Sequence, residues 1–259
     1  PNNLFRIANN PNSEMVIQDL LIENNKKIKI FYINHHLSHA SSFYFSKFKK
    51  ANILTLDAFG EKQSGGLYYG SDNKIQKLSD LYFPHSLGSF YSTFTQLCGF
   101  KAQSDEWKLM GASAYGEKST YYNKIKNLID LKKDGTFELD LYYFNHYLFH
   151  RPNFYNEKLL KYLNIQVNKS ETLTSKYYNL AHAAQSVFED ILFHILNNLY
   201  KKHKNSNLVF AGGCALNCLA NGKIIHKTNF KDIFIPPVPD DSGAGAGAAF
   251  YVNNNILNF

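Results

Sequence analysis

Cysteine, methionine and tryptophan are scarce in this 259-residue chain, at three, two and one residues. The cysteines, Cys98, Cys214 and Cys218, form no Cys-x-x-Cys pair, which excludes a disulfide framework and a zinc knuckle. Cys214 and Cys218 stand at helical spacing and read as small buried hydrophobes in a reducing compartment, so a cytoplasmic location is expected. No apolar run approaches the roughly twenty residues that a membrane-spanning helix requires. No charged and then apolar leader opens the chain at Pro1, and a first residue other than Met is expected of a processed or truncated chain. No Gly-x-Ser-x-Gly elbow is present, against a hydrolase triad. There is no long-period repeat.

The net charge is +7, yet the lysines come as scattered pairs such as Lys49-Lys50, Lys132-Lys133 and Lys201-Lys202 rather than as a dense basic run. Solvated faces are therefore expected, not a nucleic-acid surface, and phosphate-bearing small molecules would suit the excess equally well. With 44% hydrophobic residues, the chain can bury the core of one large or two smaller domains.

Periodicity organises what remains. Residues 28–33 read as a buried strand, 51–57 as a second, and 64–70 with 74–78 as a hairpin. A short helix is expected over 15–22. Further helices are expected over 89–97, 105–116, 120–131 and 177–202, with strands at 136–142, 207–211 and 232–235 and a small-residue helix at 244–252. The stretch 120–176 is aromatic and irregular and reads as an insertion that shapes specificity.

The chemistry concentrates at Asn34-His35-His36-Leu37-Ser38-His39-Ala40. A helix capped by Asn34 puts His35 and His39 one turn apart on one face, where two imidazoles can grip a metal ion. Asp57 and Asp241 each follow a strand and would add two oxygens, a mixture suited to divalent iron, manganese or zinc with open positions. Taken singly, each also reads as a cap or turn residue. Gly-rich turns at Gly212-Gly213 and Ser242-Gly243 allow backbone to approach a phosphate, or are simply tight turns of an α/β sheet. The run Gly243-Ala244-Gly245-Ala246-Gly247 lacks the spacing of a dinucleotide fingerprint. Lys108 stands either as a point charge for phosphate or as a solvent-facing helical lysine. Trp107 reads as packing.

In order along the chain stand His35-His36-Leu37-Ser38-His39-Ala40, Asp57-Ala58-Phe59-Gly60-Glu61, Phe83-Pro84-His85-Ser86-Leu87-Gly88 and Asp105-Glu106-Trp107-Lys108-Leu109-Met110-Gly111. Gly212-Gly213-Cys214-Ala215-Leu216-Asn217 and Asp241-Ser242-Gly243-Ala244-Gly245-Ala246-Gly247-Ala248-Ala249 complete the series. This series resembles the O-carbamoyltransferases of the nodulation protein U, cephalosporin hydroxymethyl carbamoyltransferase and tobramycin carbamoyltransferase group. The resemblance implies an α/β, actin-like ATPase fold of two ribonuclease-H-like lobes with mixed sheets. The first lobe (1–118) would be incomplete, followed by the insertion (119–176) and a second lobe (177–259).

The resemblance further implies ATP-dependent transfer of a carbamoyl group from carbamoyl phosphate, through a carbamoyl-adenylate, to a hydroxyl of a small molecule. His35, His39, Asp57 and Asp241 would hold the metal, commonly iron in such proteins. Gly212, Gly213 and Asn217 would lie along ATP or the carbamoyl-adenylate, with Lys108, Gly111 and Gly243 nearby, and His36 is assigned to the acceptor proton. The family's usual His-Asp-Ser-Ala-like front motif has no match before Ile28, and its C-terminal adenylating domain is expected as a partner elsewhere. A fragment of a longer enzyme and an inactive reduced relative both fit. Rival readings are threonylcarbamoyl transfer to tRNA and a non-catalytic nucleotide-binding remnant. No membrane partner is expected, and oligomeric state stays open.

Overall fold

The computed structural model describes residues 16–23, 26–170 and 172–257. Strand β3 (Lys50–Gly60) is its spine. On one side β3 pairs antiparallel with β4 (Gln63–Ser71), which pairs antiparallel with β5 (Lys74–Tyr82). On the other it pairs parallel with β8 (Asn207–Ala211), which pairs parallel with β9 (Asp232–Phe234). The result is one five-stranded mixed sheet in the order β5-β4-β3-β8-β9. The α/β class with a mixed sheet is thus as expected, and the sheet draws strands from both sides of residue 177. Strands assigned to a second lobe at 177–259 hydrogen-bond to the first, because β3 leaves one edge unpaired by its hairpin and β8 fills it.

Two strands stand apart. β1 (Val16–Glu23) pairs antiparallel with β2 (Lys26–Ile33) outside the main sheet. A helix was expected over 15–22; Met15 lies outside the described residues, and 16–22 take strand form because a ready antiparallel partner follows at once.

Alternation along β3 sorts the rest into layers, since successive side chains of a strand point to opposite faces. Leu54 and Leu56 join the larger core with Leu208 and Phe210 of β8. This face is covered by α2 (Leu87–Leu97) and α6 (Ser175–Lys202), with α3 (Glu106–Ser113) alongside. Ala51, Ile53 and Val209 point the other way and meet Leu37, Ala40 and Phe43. That second layer is the short helix α1 (His35–Ala40), continued as a 3-10 turn over Ser41–Phe45, and α9 (Asp241–Val252).

The stretch 119–176 is more integrated than an insertion read from its irregular sequence. It supplies α4 (Thr120–Lys126), a β6–β7 pair (Ile129–Leu131 with Phe137–Leu139) and α5 (Glu157–Leu163). Ile125, Leu128, Phe137, Phe144 and Leu159 are buried in the same core as α6. The end of the expected helix over 120–131 is strand, because it closes against β7. Two short helices, α7 (Cys218–Asn221) and α8 (Ile224–Lys227), connect β8 to β9. Cys98 is buried; Cys214 is buried as expected, but Cys218 is exposed.

The approach of α9 to α1 depends on one missing side chain. A Cβ on Gly247 would lie 2.0 Å from the Ser38 carbonyl oxygen, whereas a Cβ on Gly245 meets nothing within 4 Å. Gly247→Ala is therefore expected to lower stability by about 1–3 kcal/mol through overpacking, while Gly245→Ala in the same helix is neutral or slightly stabilising. Denaturant unfolding of the two variants checks this, and an equal effect of both would contradict the close packing.

Candidate metal centre

The site forms where α1, the C-terminal end of β3 and the first residue of α9 meet. Asn34 caps α1 by accepting the Leu37 N–H at 3.2 Å, a preferred cap residue because its carboxamide satisfies an amide left free at a helix start. The Asn34 side-chain amide donates in turn to Glu61, whose other oxygen accepts the His35 N–H at 3.3 Å. Glu61 thus ties the start of α1 to the end of β3. Gly60 lets the His35 ring lie flat against that strand end, where any Cβ would stand 2.2 Å from the ring.

Helical spacing turns His35 and His39 the same way, with ring centroids 4.7 Å apart. Asp57 shares the β3 face of Ile53 and Thr55 by alternation, and so meets α1 rather than the helices beneath the sheet. Its Oδ1 accepts the Ala58 N–H at 3.0 Å, leaving Oδ2 directed at the histidines. Asp240 caps α9 by accepting the Ser242 N–H at 3.1 Å, and Asp241 follows with its carboxylate against both rings. His39 Nε2 lies 3.2 Å from Asp57 Oδ2 and 3.2 Å from Asp241 Oδ1; His35 Nε2 lies 3.5 Å from each.

These four residues, which the sequence reading singled out together, place one donor atom each within 4.8 Å of all the others. Ligand bonds of about 2.1 Å in tetrahedral array put donors about 3.4 Å apart, and the histidine-to-aspartate distances match that edge length. His35 Nε2 and Asp57 Oδ2 are buried without a hydrogen bond, a costly condition for two polar atoms facing each other. The donor set thus fits a divalent cation.

The electrostatics agree. Burial by itself would lower the His39 imidazole, but hydrogen bonds and charge from Asp241 and Asp57 outweigh it and raise it to about 9. Burial would raise the Asp57 carboxyl, and the two histidines instead hold it far below the usual carboxylate range.

The other expected residues divide. His36 has no exposed surface. Its Nδ1 lies 3.1 Å from Thr55 Oγ1, and burial, reinforced by His35, lowers its imidazole to about 3. It packs between α1 and the sheet and does not line the pocket described next. From the cluster a pocket of about 550 Å³ runs between α2, α3 and the turn after β8, with Asp57, Asp241, Gly213 and Asn217 among its lining residues. Lys108 and Gly111 do not line it. Successive helical residues turn by about 100°, so α3 presents Glu106, Trp107 and Met110 to the pocket and points Lys108 away, 3.0 Å from Asp105. Gly212 serves the backbone instead, with φ of 91° and its N–H donated to Pro239. Gly243 packs on the Val238 carbonyl.

Several pocket residues were not singled out from the sequence. Trp107, read as packing, is 64% exposed on the pocket wall. Glu106 accepts Ser92 Oγ–H at 2.5 Å and the Gln103 N–H at 2.7 Å. Behind Asn217 lies a buried polar relay. Gln185 Nε2 donates to Asn217 at 3.0 Å and to Glu189 at 2.9 Å, while its Oε1 accepts from Tyr91 at 2.7 Å and from Asn217 at 2.9 Å. Lys223 closes the relay on Glu189 at 2.6 Å. The one-turn spacing of Gln185 and Glu189 was the only signal of it.

The family model described as "Carbamoyltransferase N-terminus" matches residues 6–250. The uncharacterized protein sll1178 of Synechocystis is 38% identical over 230 residues, covering 88% of this chain and 37% of that protein. Nodulation protein NolNO of Sinorhizobium fredii is 30% identical over 88% of this chain and 32% of its own length. Nodulation protein NolO of Bradyrhizobium diazoefficiens is 31% identical over 86% and 39%. The chain thus spans about a third to two fifths of the length of these relatives. With nearly its whole length matched, this chain belongs to the family of carbamoyltransferase N-terminal domains.

Proposed function

We propose that this chain is the transfer core of an O-carbamoyltransferase, in which a carbamoyl group derived from carbamoyl phosphate and carried as a carbamoyl-adenylate passes to a hydroxyl of a small molecule. The observation that carries this reading is the convergence of His35, His39, Asp57 and Asp241 at the end of a pocket, in a chain of this family. The four residues would hold a divalent ion, iron ahead of manganese or zinc, which supplies Lewis-acid polarisation of a carbamoyl or phosphate oxygen when bound. The adenine nucleotide would occupy the pocket, with the Gly213 backbone and the Asn217 carboxamide beside it and Trp107 and Met110 offering apolar surface. The relay through Gln185 holds Asn217 in one orientation.

In the transfer the acceptor oxygen bonds to the carbamoyl carbon, the bond from that carbon to the adenylate oxygen breaks, AMP leaves and the hydroxyl proton departs. Asp57, Glu106, Asp240 and Asp241 line the pocket, so a carboxylate rather than His36 is in reach of that proton. Because Tyr91, Phe188 and Gly213 wall one side, the pocket also limits competition by water at the carbamoyl carbon.

The purified chain is expected to hold about one divalent ion, and His39→Ala and Asp241→Ala to lose it while remaining folded, as read by elemental analysis with circular dichroism. Retention of the ion by both variants would sink the four-residue site. Trp107 is the only tryptophan, so its fluorescence should change on titration with ATP; an unchanged signal together with no retained nucleotide would overturn the pocket assignment.

Ion uptake should also be proton-coupled. His39 keeps its proton up to about 9 in the ion-free site and must release it to bind a cation, whereas Asp57 is already ionised. Apparent affinity is therefore expected to rise about tenfold per pH unit from about pH 7 to about 9 and then level off. Calorimetry in buffers of different ionisation enthalpy would register the released proton, and a pH-independent affinity would contradict His39 as a ligand.

A further inference from the structure

The end of the sheet opposite the metal centre gathers lysines that read from the sequence as scattered pairs. β3 is entered there through Lys47, Lys49 and Lys50, all exposed. The Lys49 carbonyl accepts the Asp72 N–H at 2.7 Å, which brings in the β4–β5 turn and exposed Lys74. The Lys50 carbonyl accepts from the Asn207 side chain at 2.9 Å, and Asn52 Nδ2 donates to the His203 and Asn205 carbonyls at 2.9 Å each. These bonds draw in the end of α6 and the residues just after it, with Lys201, Lys202 and Lys204 exposed. Asn197 of the same helix donates to the Lys227 carbonyl at 3.4 Å, and the Lys231 N–H donates to the Ser206 carbonyl at 2.9 Å. His194 Nε2, also on α6, lies 2.9 Å from the Lys132 carbonyl and so fixes the β6–β7 turn at this end. The segments that meet here, 47–50, 72–74, 130–138, 201–204 and 227–232, carry eleven lysines and five acids. Six of the seven excess positive charges of the chain therefore stand together. Only Lys132 is half-buried and paired, with Asp130 at 2.6 Å and Glu138 at 2.8 Å. The other ten are exposed and form no ion pair among the described residues. Seven strand steps of about 3.3 Å separate Lys50 from Asp57, so this end lies about 23 Å from the metal centre.

We propose that this lysine-bearing end is an interaction surface for an anionic lipid bilayer, on which the protein docks with its metal centre at the far end. Unpaired lysines are drawn to a negatively charged leaflet, each one engaged strengthening adsorption about fivefold. The chemistry of the surface selects lipid over nucleic acid. The five segments contain no arginine and no exposed aromatic side chain, so they offer neither a bidentate fork for phosphates nor a ring on which a base can stack. What stands beside the lysines is aliphatic. Ile225, two residues before Lys227 in α8, is 43% exposed and suits the boundary between headgroups and acyl chains. A second copy of the chain would meet this end with like charge and is repelled. Docking of this kind leaves the pocket open to water, and it stands independently of the transfer reading.

The test is cosedimentation of the purified chain with vesicles of phosphatidylcholine containing about one third phosphatidylglycerol, and with vesicles of phosphatidylcholine alone. Binding is expected to the first only, and to fall at least about tenfold between about 0.1 M and about 0.5 M salt. Lys201→Glu, Lys204→Glu and Lys227→Glu combined should lower it at least about 100-fold. Lys118→Glu, Lys169→Glu and Lys176→Glu combined make the same change of net charge on exposed residues outside the five segments, and should lower it no more than about threefold. All six lysines are exposed, so both variants should keep the circular dichroism spectrum of the parent. Ile225→Ser is expected to weaken vesicle binding about fivefold and to leave its salt dependence unchanged. No sedimentation with the anionic vesicles, or equal losses from the two triple variants, would overturn the surface. Tighter binding of the chain to a mixed-sequence single-stranded RNA than to the anionic vesicles, at equal phosphate concentration, would overturn its assignment to lipid.

Discussion

Everything at the site depends on the placement of α1 against one face of β3. The strand is buried on both sides, so its odd and even positions are committed to different layers: Leu54 and Leu56 to the large helical core, Ala51 and Ile53 to α1. Asp57 inherits its direction from that commitment. Two further restraints hold α1 in register, the Asn34–Glu61–His35 contacts at its start and the close seat of Gly247 of α9 on Ser38. Because α9 begins with Asp241, the same seat that fixes the helix pair also delivers the second carboxylate.

The arrangement stores an electrostatic conflict. Two carboxylates and two imidazoles face one another, His39 withdrawn from solvent and the Asp241 side chain open to it, and a proton held on His39 relieves the repulsion between Asp57 and Asp241. The proposed divalent ion would instead offer charge to all four donors at once. The opposite wall is organised differently. Around Gln185 every polar atom has a partner, and a fully satisfied buried network of this kind holds its members in one geometry. The pocket thus joins a wall of facing carboxylates and imidazoles to a wall whose polar atoms are all paired.

Elements with strong periodicity and clear end signals were legible from sequence. The strand 207–211 and the long helix to Lys202 are found with little change, and Asn34 caps α1 as its residue type implies. Short elements defined by their neighbours were not. Residues 16–22 lack an intrinsic preference strong enough to resist pairing with β2, and 129–131 became strand because β7 folds back on them. Likewise Trp107 and Lys108 are adjacent and both plausible toward the pocket, yet a helix turns them about 100° apart, and only the docking of α3 selects which faces inward.

The sequence by itself determined the chemical inventory and the local geometry that follows from it: two histidines one helical turn apart, aspartates at strand and helix ends, glycines where backbones approach. Those are properties of a single element and its spacing. The tertiary structure alone decided that Asp241 meets His39 across a separation of 202 positions, that β8 completes the sheet of β3, and that His36, chemically identical to His35 and His39, is turned into the core. Such outcomes depend on which buried faces find each other, and that is settled by packing among distant elements, not by any one stretch of the chain.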